Sequence, residues 1–426
     1  MASNPRLVAV GISHHTANLE ERERIAVSPD GIPALLSRLK SGGLSHEALL
    51  LSTCNRTELY AVQGQQGNVE KLVRFLAESG GVTDKAISEK IYRKCDEEAL
   101  RHIFRVASSL DSLVIGEPQI VSQLKSAFRL AQENNLAGPV LHRVMDHAMS
   151  VSKRVRSQTD ISKEAVSVGR AGVELAKQVL GDLGGRSALL IGAGAHGKIV
   201  ARSLLEYGLD ELVVANRTFS RAAELASTFN GSAIPLQEVE RYLPRVDIVV
   251  SSTGAGRFLI TRNDVEQTRS KRRGKSLVMI DLSVPRNIDP TVNELAGVFR
   301  FDIDDLAHFA GRGQAARRDA AQLAEQIVDK ATSRHWKQLL GHQVNHEMGR
   351  IVRGAEAIRQ GEMARISELL EGLPPSQIDS VDAMTRAIVK KILHQPLKQA
   401  RSWAEDGNLE EVKVLFSAFA EGDDDV

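Results

Sequence analysis

The sequence predicts an α/β protein of several domains: an N-terminal α+β domain, a Rossmann-type dinucleotide domain, and an all-helical C-terminal domain joined to them by a long helix. Strand-like and helix-like segments alternate over about the first 90 residues. A strand, a glycine-rich turn and a helix follow one another from Ser187. Beyond Pro290 there is no proline until Pro374, and the pattern there is helical. We expect the three domains to span residues 1–160, 161–310 and 311–426.

Composition narrows the class of protein. The chain has 426 residues, 42% of them hydrophobic, and a net charge of +1, so it is globular and lacks the overall basic field of many nucleic-acid-binding proteins. Its two cysteines, Cys54 and Cys95, fit a reducing compartment, and no CxxC or HExxH pattern indicates a metal site. No signal peptide and no apolar run long enough to span a membrane is present, so we expect a cytoplasmic protein.

The N-terminal domain is organised around LLLSTCNRTELY, residues 49–60. The segments before and after it predict a strand at Leu7–Ile12 and helices at 19–27, 32–39 and 69–78. Cys54 lies where one strand ends, beside Thr53, Asn55 and Arg56. A nearby guanidinium favours the thiolate and could also hold a carboxylate. The pattern leaves two interpretations open, a nucleophile or a small buried residue.

A helical stretch follows from Glu97. Its apolar residues share one face, and His102 lies nearly opposite them, which predicts a surface or site position rather than a core one. Gly116-Glu117-Pro118 predicts a turn before a helix at 119–130. The polar residues of this segment are either site residues or helix caps: Ser112, Glu117, Gln119 and Gln123. Residues 142–180 are helical almost throughout, and the basic cluster Lys153, Arg154 and Arg156 is most simply a solvated face.

The strand Ser187–Ile191 runs into Gly192-Ala193-Gly194-Ala195-His196-Gly197 and a helix at 198–206, the strand–turn–helix context that a dinucleotide loop requires. Gly192 permits the tight turn, Gly194 lets the backbone approach a pyrophosphate, and Gly197 allows close helix packing. Further strands are predicted at 212–215, 246–251 and 277–281. The segments 251–254 and 281–286 follow two of them at the carboxyl ends of the strands, where open α/β sheets bind ligands, and we expect 251–254 to lie near the nicotinamide.

The end of the second of these strands carries Asn216-Arg217-Thr218. An NAD site usually has an acidic residue here, which binds the ribose hydroxyls. Because no carboxylate is present and Arg217 can pair with a 2′-phosphate, the sequence predicts NADP rather than NAD. The alternative is that Arg217 is an exposed residue at a helix start.

The C-terminal region carries small or apolar residues at helical spacing from 314 to 340, followed by helical segments at 347–359, 363–370 and 381–394. It has few chemically active residues. We therefore predict that its apolar faces are buried against one another or against a second copy of the chain.

These motifs together resemble the glutamyl-tRNA reductase family over nearly the whole chain. The segments that carry the resemblance are VGISHHTA (10–17), LSTCNRTELY (51–60), VASSLDSLVIGEPQIVSQLK (106–125), VRSQTDIS (155–162), IGAGAHGKIVA (191–201), NRT (216–218), IDLSVPRNIDP (280–290) and KILHQPLK (391–398). Two positions depart from the family pattern. Asn18 stands where many members have proline, and His196 occupies a variable position of the nucleotide loop.

The resemblance implies NADPH-dependent reduction of glutamyl-tRNA(Glu) to glutamate-1-semialdehyde, the first step of tetrapyrrole synthesis by the five-carbon route. It implies that Cys54 forms a thioester with the glutamyl group and that His102 is important for activity. Nine cofactor-binding positions follow from the glycine-rich loop and the NRT segment, Gly192 to Gly197 and Asn216 to Thr218. The implied substrate-binding residues are Thr53, Asn55, Arg56, Ser112, Glu117, Pro118, Gln119 and Gln123. It also implies a homodimer through the C-terminal helices and a transient complex with glutamate-1-semialdehyde aminomutase.

Two other functions fit parts of the sequence. A shikimate-dehydrogenase-like reductase would share the GAGxxG and NRT segments, but it would work by acid–base chemistry on an alcohol and would not need Cys54. A non-enzymatic scaffold that senses NADPH or binds tRNA would use STCNR as a fold element.

Overall fold

The computed structural model describes residues 6–64, 67–81, 85–117, 119–159, 161, 168–311 and 318–419. By their contacts they divide into two compact units, one of Leu7–Val328 and one of the described residues within Asp329–Val426, to which Arg6 also belongs. The larger unit contains two sheets with their helices, and the smaller unit is helical. The predicted fold class, α+β followed by a Rossmann-type sheet and a helical region, is thereby confirmed.

The first sheet has four strands in the order β2-β3-β1-β4, and both the β2–β3 and the β1–β4 pairs are antiparallel. Its strands are β1 (Arg6–Ser13), β2 (Glu47–Ser52), β3 (Arg56–Gln63) and β4 (Tyr92–Cys95). The helices of this region are α1 (Leu19–Ile25), α2 (Ile32–Ser41), α3 (Val69–Ser79), α4 (Lys85–Lys90), α5 (Asp96–Ala107), α6 (Gln119–Glu133) and α7 (Pro139–Gln158). Apolar side chains of β1, β2 and β3 form a core with α2 and α3.

Side-chain hydrogen bonds explain how two of these helices begin, one through a neighbouring residue and one through a distant strand residue. Asn18 accepts a hydrogen bond from the Glu21 amide at 3.0 Å, and the Glu21 carboxylate accepts one from the Asn18 amide at 3.1 Å. This reciprocal cap gives the departure from proline at position 18 a physical reason. At α7, the buried Glu47 carboxylate accepts hydrogen bonds from the Val140 and Leu141 amides at 3.1 and 2.6 Å. A strand residue thus satisfies the free amides of a helix start.

The second sheet is parallel and has six strands in the order β10-β9-β8-β5-β6-β7. Its strands are β5 (Ser187–Ile191), β6 (Glu211–Asn216), β7 (Ser232–Pro235), β8 (Ile248–Ser251), β9 (Leu277–Asp281) and β10 (Val298–Asp302). The associated helices are α8 (Val168–Leu180), α9 (Ala195–Glu206), α10 (Phe219–Thr228), α11 (Val239–Tyr242), α12 (Arg262–Arg272) and α13 (Ile303–Gly311), with short 3-10 turns at Leu236–Glu238 and Pro290–Glu294. This order places the crossover beside β5, where open α/β sheets bind nucleotides.

Buried apolar clusters cover both faces of the parallel sheet. One of them also includes Leu19 of α1 and Val114, with Cys54, Ala193 and Val284 packed at its edge. The α1 helix adds ion pairs to the same side. Arg22 Nη2 lies 2.6 Å from Asp304 Oδ1, and Arg286 Nη2 lies 2.8 Å from Glu23 Oε2. The antiparallel region therefore packs directly against the end of the sheet that the nucleotide loop occupies.

The remaining helices are α14 (Arg318–Gln343), α15 (Asn345–Arg365), α16 (Ser367–Leu370), α17 (Pro375–Glu405) and α18 (Leu409–Ser417). Within the larger unit, Glu325 at the start of α14 pairs with Arg101 and Arg105 of α5, each at 3.0 Å. In the helical unit, Val344, Ala400, Ala404 and Val412 form a small core. Many large apolar side chains of this unit remain exposed: Ile358, Leu369, Met384, Ile388, Ile392 and Val414.

Candidate active site

Cys54 lies at the tip of the β2–β3 hairpin. Thr53 shapes the turn, because its hydroxyl oxygen accepts hydrogen bonds from the Asn55 and Arg56 amides at 3.2 and 3.3 Å. The Thr53 amide donates to the Arg56 carbonyl at 2.8 Å, and the His14 amide at the end of β1 donates to the Asn55 carbonyl at 3.0 Å. The tip is therefore fixed from both sides, and the thiol is presented by a hydrogen-bonded turn.

The hairpin tip forms one wall of a small pocket of about 20 Å³. The lining residues come from the hairpin, from residues 112–123 and from the nucleotide loop: Thr53, Cys54, Asn55, Arg56, Ser112, Glu117, Gln119, Ile120, Gln123 and His196. A volume of this size is close to that of one water molecule, so the lining side chains lie near one another. The structure thus brings together Cys54 and the described residues predicted to bind substrate. Pro118 lies outside the described residues.

The surroundings disfavour the thiolate of Cys54. Although part of the residue is exposed, burial and then the charge of Glu117 raise the pKa of its thiol to about 12. Of the two guanidinium groups nearby, Arg22 lowers this pKa more than Arg56 does. Arg56 does favour the thiolate, as the sequence indicates, but burial outweighs the effect of both cations.

Arg56 is buried, with 2% of its surface exposed, and two carboxylates hold it. Its Nη1 donates to Glu58 Oε1 and to Asp111 Oδ2, both at 2.8 Å, and its Nη2 donates to the Asp111 carbonyl. Burial alone would raise the pKa of Glu58, but Arg56 and His102 hold it below the usual range. The pKa of Asp111 is likewise lowered against burial, by His15 and Arg56. Both carboxylates are therefore ionised. The N–H groups of Arg56 that do not donate to Glu58 or Asp111 are the ones that can bind other partners.

His102 is buried, with 5% of its surface exposed, so the prediction that excluded a core position is wrong. Its Nε2 lies 3.0 Å from Glu58 Oε1, and its ring packs against Tyr60 and Tyr92. Both tyrosine hydroxyls donate to the Glu58 carboxylate, Tyr60 at 2.5 Å. The helical face opposite the apolar stripe of α5 thus meets a polar, hydrogen-bonded interior rather than solvent.

Among the described residues, Glu58, His102 and Asp111 bring three possible metal-ligand atoms within 4.8 Å of one another. The Arg56 guanidinium already donates to both carboxylates of this group. A cation therefore already lies between the two carboxylates, and the arrangement is an ion-pair network.

The nucleotide loop has the geometry that its sequence predicts. Gly192 has a φ of +110°, and a Cβ there would lie 2.3 Å from the Ser252 carbonyl oxygen. A Cβ on Gly197 would lie 2.6 Å from the Gly192 carbonyl oxygen. Gly194 precedes α9 without a side-chain cap and has open space around it. The first amides of α9 are thus available to an anion, as a dinucleotide pyrophosphate requires.

Asn216, Arg217 and Thr218 follow β6 beside this loop. The Asn216 amide donates to the Thr218 carbonyl at 3.0 Å, and the exposed Arg217 guanidinium lies 3.7 Å from Asp30. A cavity of about 210 Å³ adjoins the loop and is lined by two further cations that the sequence interpretation missed, Lys198 and Arg221. Arg221 lies in the first turn of α10, four residues after Arg217 in the sequence.

The segments after β8 and β9 bind one another. Thr253 Oγ1 donates to Asn287 Oδ1 at 2.5 Å, and the Thr253 amide donates to Ser283 Oγ at 3.1 Å. Asp281 accepts hydrogen bonds from the amides of Ser283, Asn287 and Ile288, at 2.8 to 3.0 Å. These contacts fix the loop at the carboxyl end of the sheet, on the side where Val284 meets Cys54 at one apolar cluster.

Arg22 is a site residue that the sequence did not indicate. It is 2% exposed, its Nη2 donates to Asp304, and its Nε and Nη1 have no hydrogen-bond partner among the described residues.

In the basic cluster of residues 153–156, Arg154 Nη2 donates to the Ile327 carbonyl and Arg156 Nε to the Ser152 carbonyl. Arg154 thus anchors α14 at Ile327 instead of being a purely solvated charge.

Across the described residues, no helix combines the length and apolarity needed to cross a membrane.

Three family models match the chain in succession. Residues 10–159 match the glutamyl-tRNA(Glu) reductase N-terminal domain, 174–309 match shikimate/quinate 5-dehydrogenase, and 323–420 match the glutamyl-tRNA(Glu) reductase dimerisation domain.

Similar proteins extend over nearly the whole chain. A glutamyl-tRNA reductase of Syntrophotalea carbinolica is 41% identical over 414 residues, covering 96% of this chain and 94% of the relative. One of Rubrobacter xylanophilus is 40% identical over 403 residues, 94% of each chain. Among solved structures, glutamyl-tRNA reductase of Methanopyrus kandleri is 30% identical with a TM-score of 0.52, covering 97% of this chain and 99% of that one.

Proposed function

The chain belongs to the glutamyl-tRNA reductase family, and we propose that it reduces glutamyl-tRNA(Glu) to glutamate-1-semialdehyde with NADPH and releases the tRNA. This is the first step of tetrapyrrole synthesis by the five-carbon route. One observation carries the proposal. The thiol at the hairpin tip shares a pocket with residues 112–123 and with His196 of the nucleotide loop. Acyl transfer and reduction can therefore occur at one sulfur.

Cys54 is the proposed nucleophile. Its sulfur attacks the ester carbonyl, a C–S bond forms, and the C–O bond to the ribose breaks, so the tRNA leaves with a free hydroxyl. NADPH, when bound, supplies the hydride that converts the thioester to the aldehyde, and the sulfur leaves with a proton. Covalent attachment divides one difficult reduction into two easier steps.

The pocket offers unpaired polar atoms to the glutamyl group. Asn55 Oδ1, Gln119 Oε1 and Glu117 Oε1 are buried without hydrogen-bond donors among the described residues. Leaving buried acceptors unpaired costs free energy, so a ligand that donates hydrogen bonds binds well there. The α-ammonium of the glutamyl group is such a donor. Thr53, Ser112 and Gln123 complete the wall of this substrate site.

The remaining N–H groups of Arg56 are proposed to bind the side-chain carboxylate of the substrate. Glu58 and Asp111 leave the Arg56 cluster with a net negative charge, which alone would weaken such binding. Arg22 supplies a second buried cation close to the sulfur. His102 is proposed to act through Glu58, because it contacts that carboxylate and lies outside the pocket lining.

For the cofactor, NADPH is proposed over NADH. Gly192, Gly194 and Gly197 leave room for a pyrophosphate on α9, with the backbone of Ala193, Ala195 and His196 beside it. Arg217, Arg221 and Lys198 give the adjoining region a positive charge suited to a 2′-phosphate. The similarity to shikimate dehydrogenases is confined to this domain, so it supports the cofactor class and not the substrate.

The proposed partners follow from the family. The exposed apolar side chains of the helical unit, in the segment that matches a dimerisation domain, are proposed to form a homodimer. A transient complex with glutamate-1-semialdehyde aminomutase would protect the reactive aldehyde. Co-purification of the two proteins tests it. A cytoplasmic location is likewise proposed, and fractionation tests it.

The test of the activity is NADPH oxidation with glutamyl-tRNA by the wild type, by Cys54→Ser and by Cys95→Ser as the matched thiol control. We expect turnover in the wild type and the control and none in Cys54→Ser. Without NADPH, the wild type should carry a glutamyl group on the Cys54 peptide by mass spectrometry. Wild-type-like turnover in Cys54→Ser would rule out the proposed thioester mechanism. No turnover in the wild type would rule out the proposed activity.

A further inference from the structure

Acyl transfer to Cys54 poses a protonation problem. With a thiol pKa of about 12, only on the order of one sulfur in 10⁵ is a thiolate at pH 7. The nearby cations, Arg22 and Arg56, lower this pKa but do not offset the effect of burial. Arg22 pairs with Asp304, and Arg56 with Glu58 and Asp111. The thiol must therefore lose its proton to a nearby base as it attacks.

Two lining residues of the pocket can accept a proton, Glu117 and His196. Burial lowers the pKa of His196, and this residue belongs to the loop that the cofactor is proposed to occupy. Glu117 is 7% exposed, and its Oε1 is buried without a hydrogen-bond partner among the described residues. Glu117 and Cys54 line the same small pocket, and the charge of Glu117 raises the pKa of the Cys54 thiol.

The backbone holds Glu117 firmly at this position. Ser109 Oγ donates to the Glu117 carbonyl at 2.6 Å, and the Glu117 amide donates to the Val114 carbonyl at 3.3 Å. Gly116, with a φ of +91°, donates to the Ser109 carbonyl at 3.1 Å. The side chain thus enters the pocket from a fixed turn just before α6. A fixed position is what a proton acceptor needs.

We propose that the Glu117 carboxylate takes the proton of the Cys54 thiol as the sulfur attacks the ester, and then gives it to the departing ribose oxygen. This role rests on the proposed function and adds to the expected binding of substrate by Glu117. One S–H bond and one C–O bond break, one C–S bond and one O–H bond form, and Glu117 ends in its starting state. No further reactant is needed.

The electrostatics of the site suit this role. Burial raises the pKa of Glu117 to about 7, so the group exchanges protons in the neutral range. The charged or titratable groups around the pair are Arg56 and His196 in the pocket wall, with Arg22 acting on the sulfur from α1. An α-ammonium bound nearby would favour the carboxylate form of Glu117 when substrate is present.

Glu117→Gln separates this role from a structural one, because two rates should move in opposite directions. Removal of the negative charge lowers the thiol pKa, so alkylation of Cys54 by iodoacetamide at pH 8 should become faster, by roughly threefold for each pKa unit. Loss of the base should slow glutamyl transfer to Cys54, measured without NADPH, by about 10²- to 10⁴-fold. Glu117→Asp keeps a carboxylate and should recover part of the transfer rate. Peptide mapping restricts the alkylation signal to Cys54.

The pH profile gives a second measurement. In the wild type the transfer rate should rise with pH through about 7 as Glu117 ionises, and Glu117→Gln should lose that inflection. Transfer in Glu117→Gln within threefold of the wild type would overturn the role, and so would equal falls in transfer and alkylation. If the wild type forms no thioester, this proposal and the mechanism of the proposed function fail together. If the wild type does form the thioester, the rates measured for Glu117→Gln decide the role of Glu117 independently of the proposed function.

Discussion

Replacement of Arg56 by methionine tests the buried network beneath the active site. The change removes a guanidinium that contacts Glu58 and Asp111, each at 2.8 Å, and leaves both carboxylates in place. Glu58 is fully buried, and only 6% of Asp111 is exposed. Because removal of one partner strands buried charge, we expect the free energy of unfolding of the N-terminal sheet to fall by about 3–5 kcal/mol. Glu58 keeps its tyrosine and histidine contacts, so Asp111 should account for much of the loss.

The decrease in the free energy of unfolding should depend on pH, and the pKa shifts determine whether it grows or shrinks as the pH rises. In the wild type both carboxylates have folded pKa values below their unfolded values of about 4, so their contribution is complete above that pH and is lost below it. Without Arg56, both folded pKa values rise, although His102 and Tyr60 still lower that of Glu58 and His15 still lowers that of Asp111. The folded variant then binds protons more tightly than the folded wild type, so the loss of stability grows as the pH rises through the acidic range. The difference between wild type and variant should therefore be roughly 1–2 kcal/mol larger at pH 7 than at pH 3.

Urea unfolding, followed by hydrogen exchange of amides in the β2–β3 hairpin, measures this local free energy. The matched control is Arg93→Met, which removes an exposed pair between Arg93 and Glu70 at 2.6 Å. Exposed pairs contribute less than about 1 kcal/mol, so the control should show only a small loss at both pH values. A loss below about 1 kcal/mol in Arg56→Met, or one that does not grow with pH, would refute the reasoning.

Two further predictions concern the nucleotide site. Gly192→Ala places a Cβ 2.3 Å from the Ser252 carbonyl at a left-handed φ, so the turn must shift. Titration should show NADPH affinity weakened by about tenfold or more while glutamyl transfer to Cys54 persists, and unchanged affinity would contradict the role of the turn. Arg217→Ser should weaken NADPH binding and leave NADH binding nearly unchanged. An equal effect on both cofactors would remove Arg217 from the 2′-phosphate site.

The sequence predicts the features that depend only on residues lying next to one another in the chain. The strand, glycine loop and α9 must follow one another in the chain, so the nucleotide loop is visible without any knowledge of contacts. The three strands that the pattern misses, β4, β7 and β10, each lie at the edge of a sheet. Edge strands are short and covered on fewer sides, so their apolar pattern is weak. This is why the parallel sheet is predicted with four strands and observed with six.

Partners that are distant in sequence escape prediction for a different reason. Arg56 is close to Cys54 in the chain, so it is the obvious candidate for the activating cation. Its guanidinium nevertheless pairs with Glu58 and with Asp111, and Asp111 lies three helices further along the chain. His102 lies opposite the apolar stripe of α5, and only the hydroxyls of Tyr60 and Tyr92 around Glu58 make its burial tolerable. Arg22 reaches the thiol through packing of α1 on the parallel sheet. Such pairings depend on tertiary structure and have no local signature.

The size of the pocket bears on how the two half-reactions alternate. A volume of about 20 Å³ accepts a water molecule, and a glutamyl ester is far larger, so the pocket must widen before the ester reaches the sulfur. Cys54 packs at the same apolar cluster as Ala193 of the nucleotide loop and Val284, and two ion pairs hold α1 against that side, Arg22–Asp304 and Arg286–Glu23. Under the proposed mechanism, this small pocket, which His196 of the nucleotide loop also lines, suits the reductive half better than entry of the ester. The side chains of Ser112, Glu117, Gln119 and Gln123 line the pocket opposite Cys54, so they are the ones that would have to move to admit the glutamyl group.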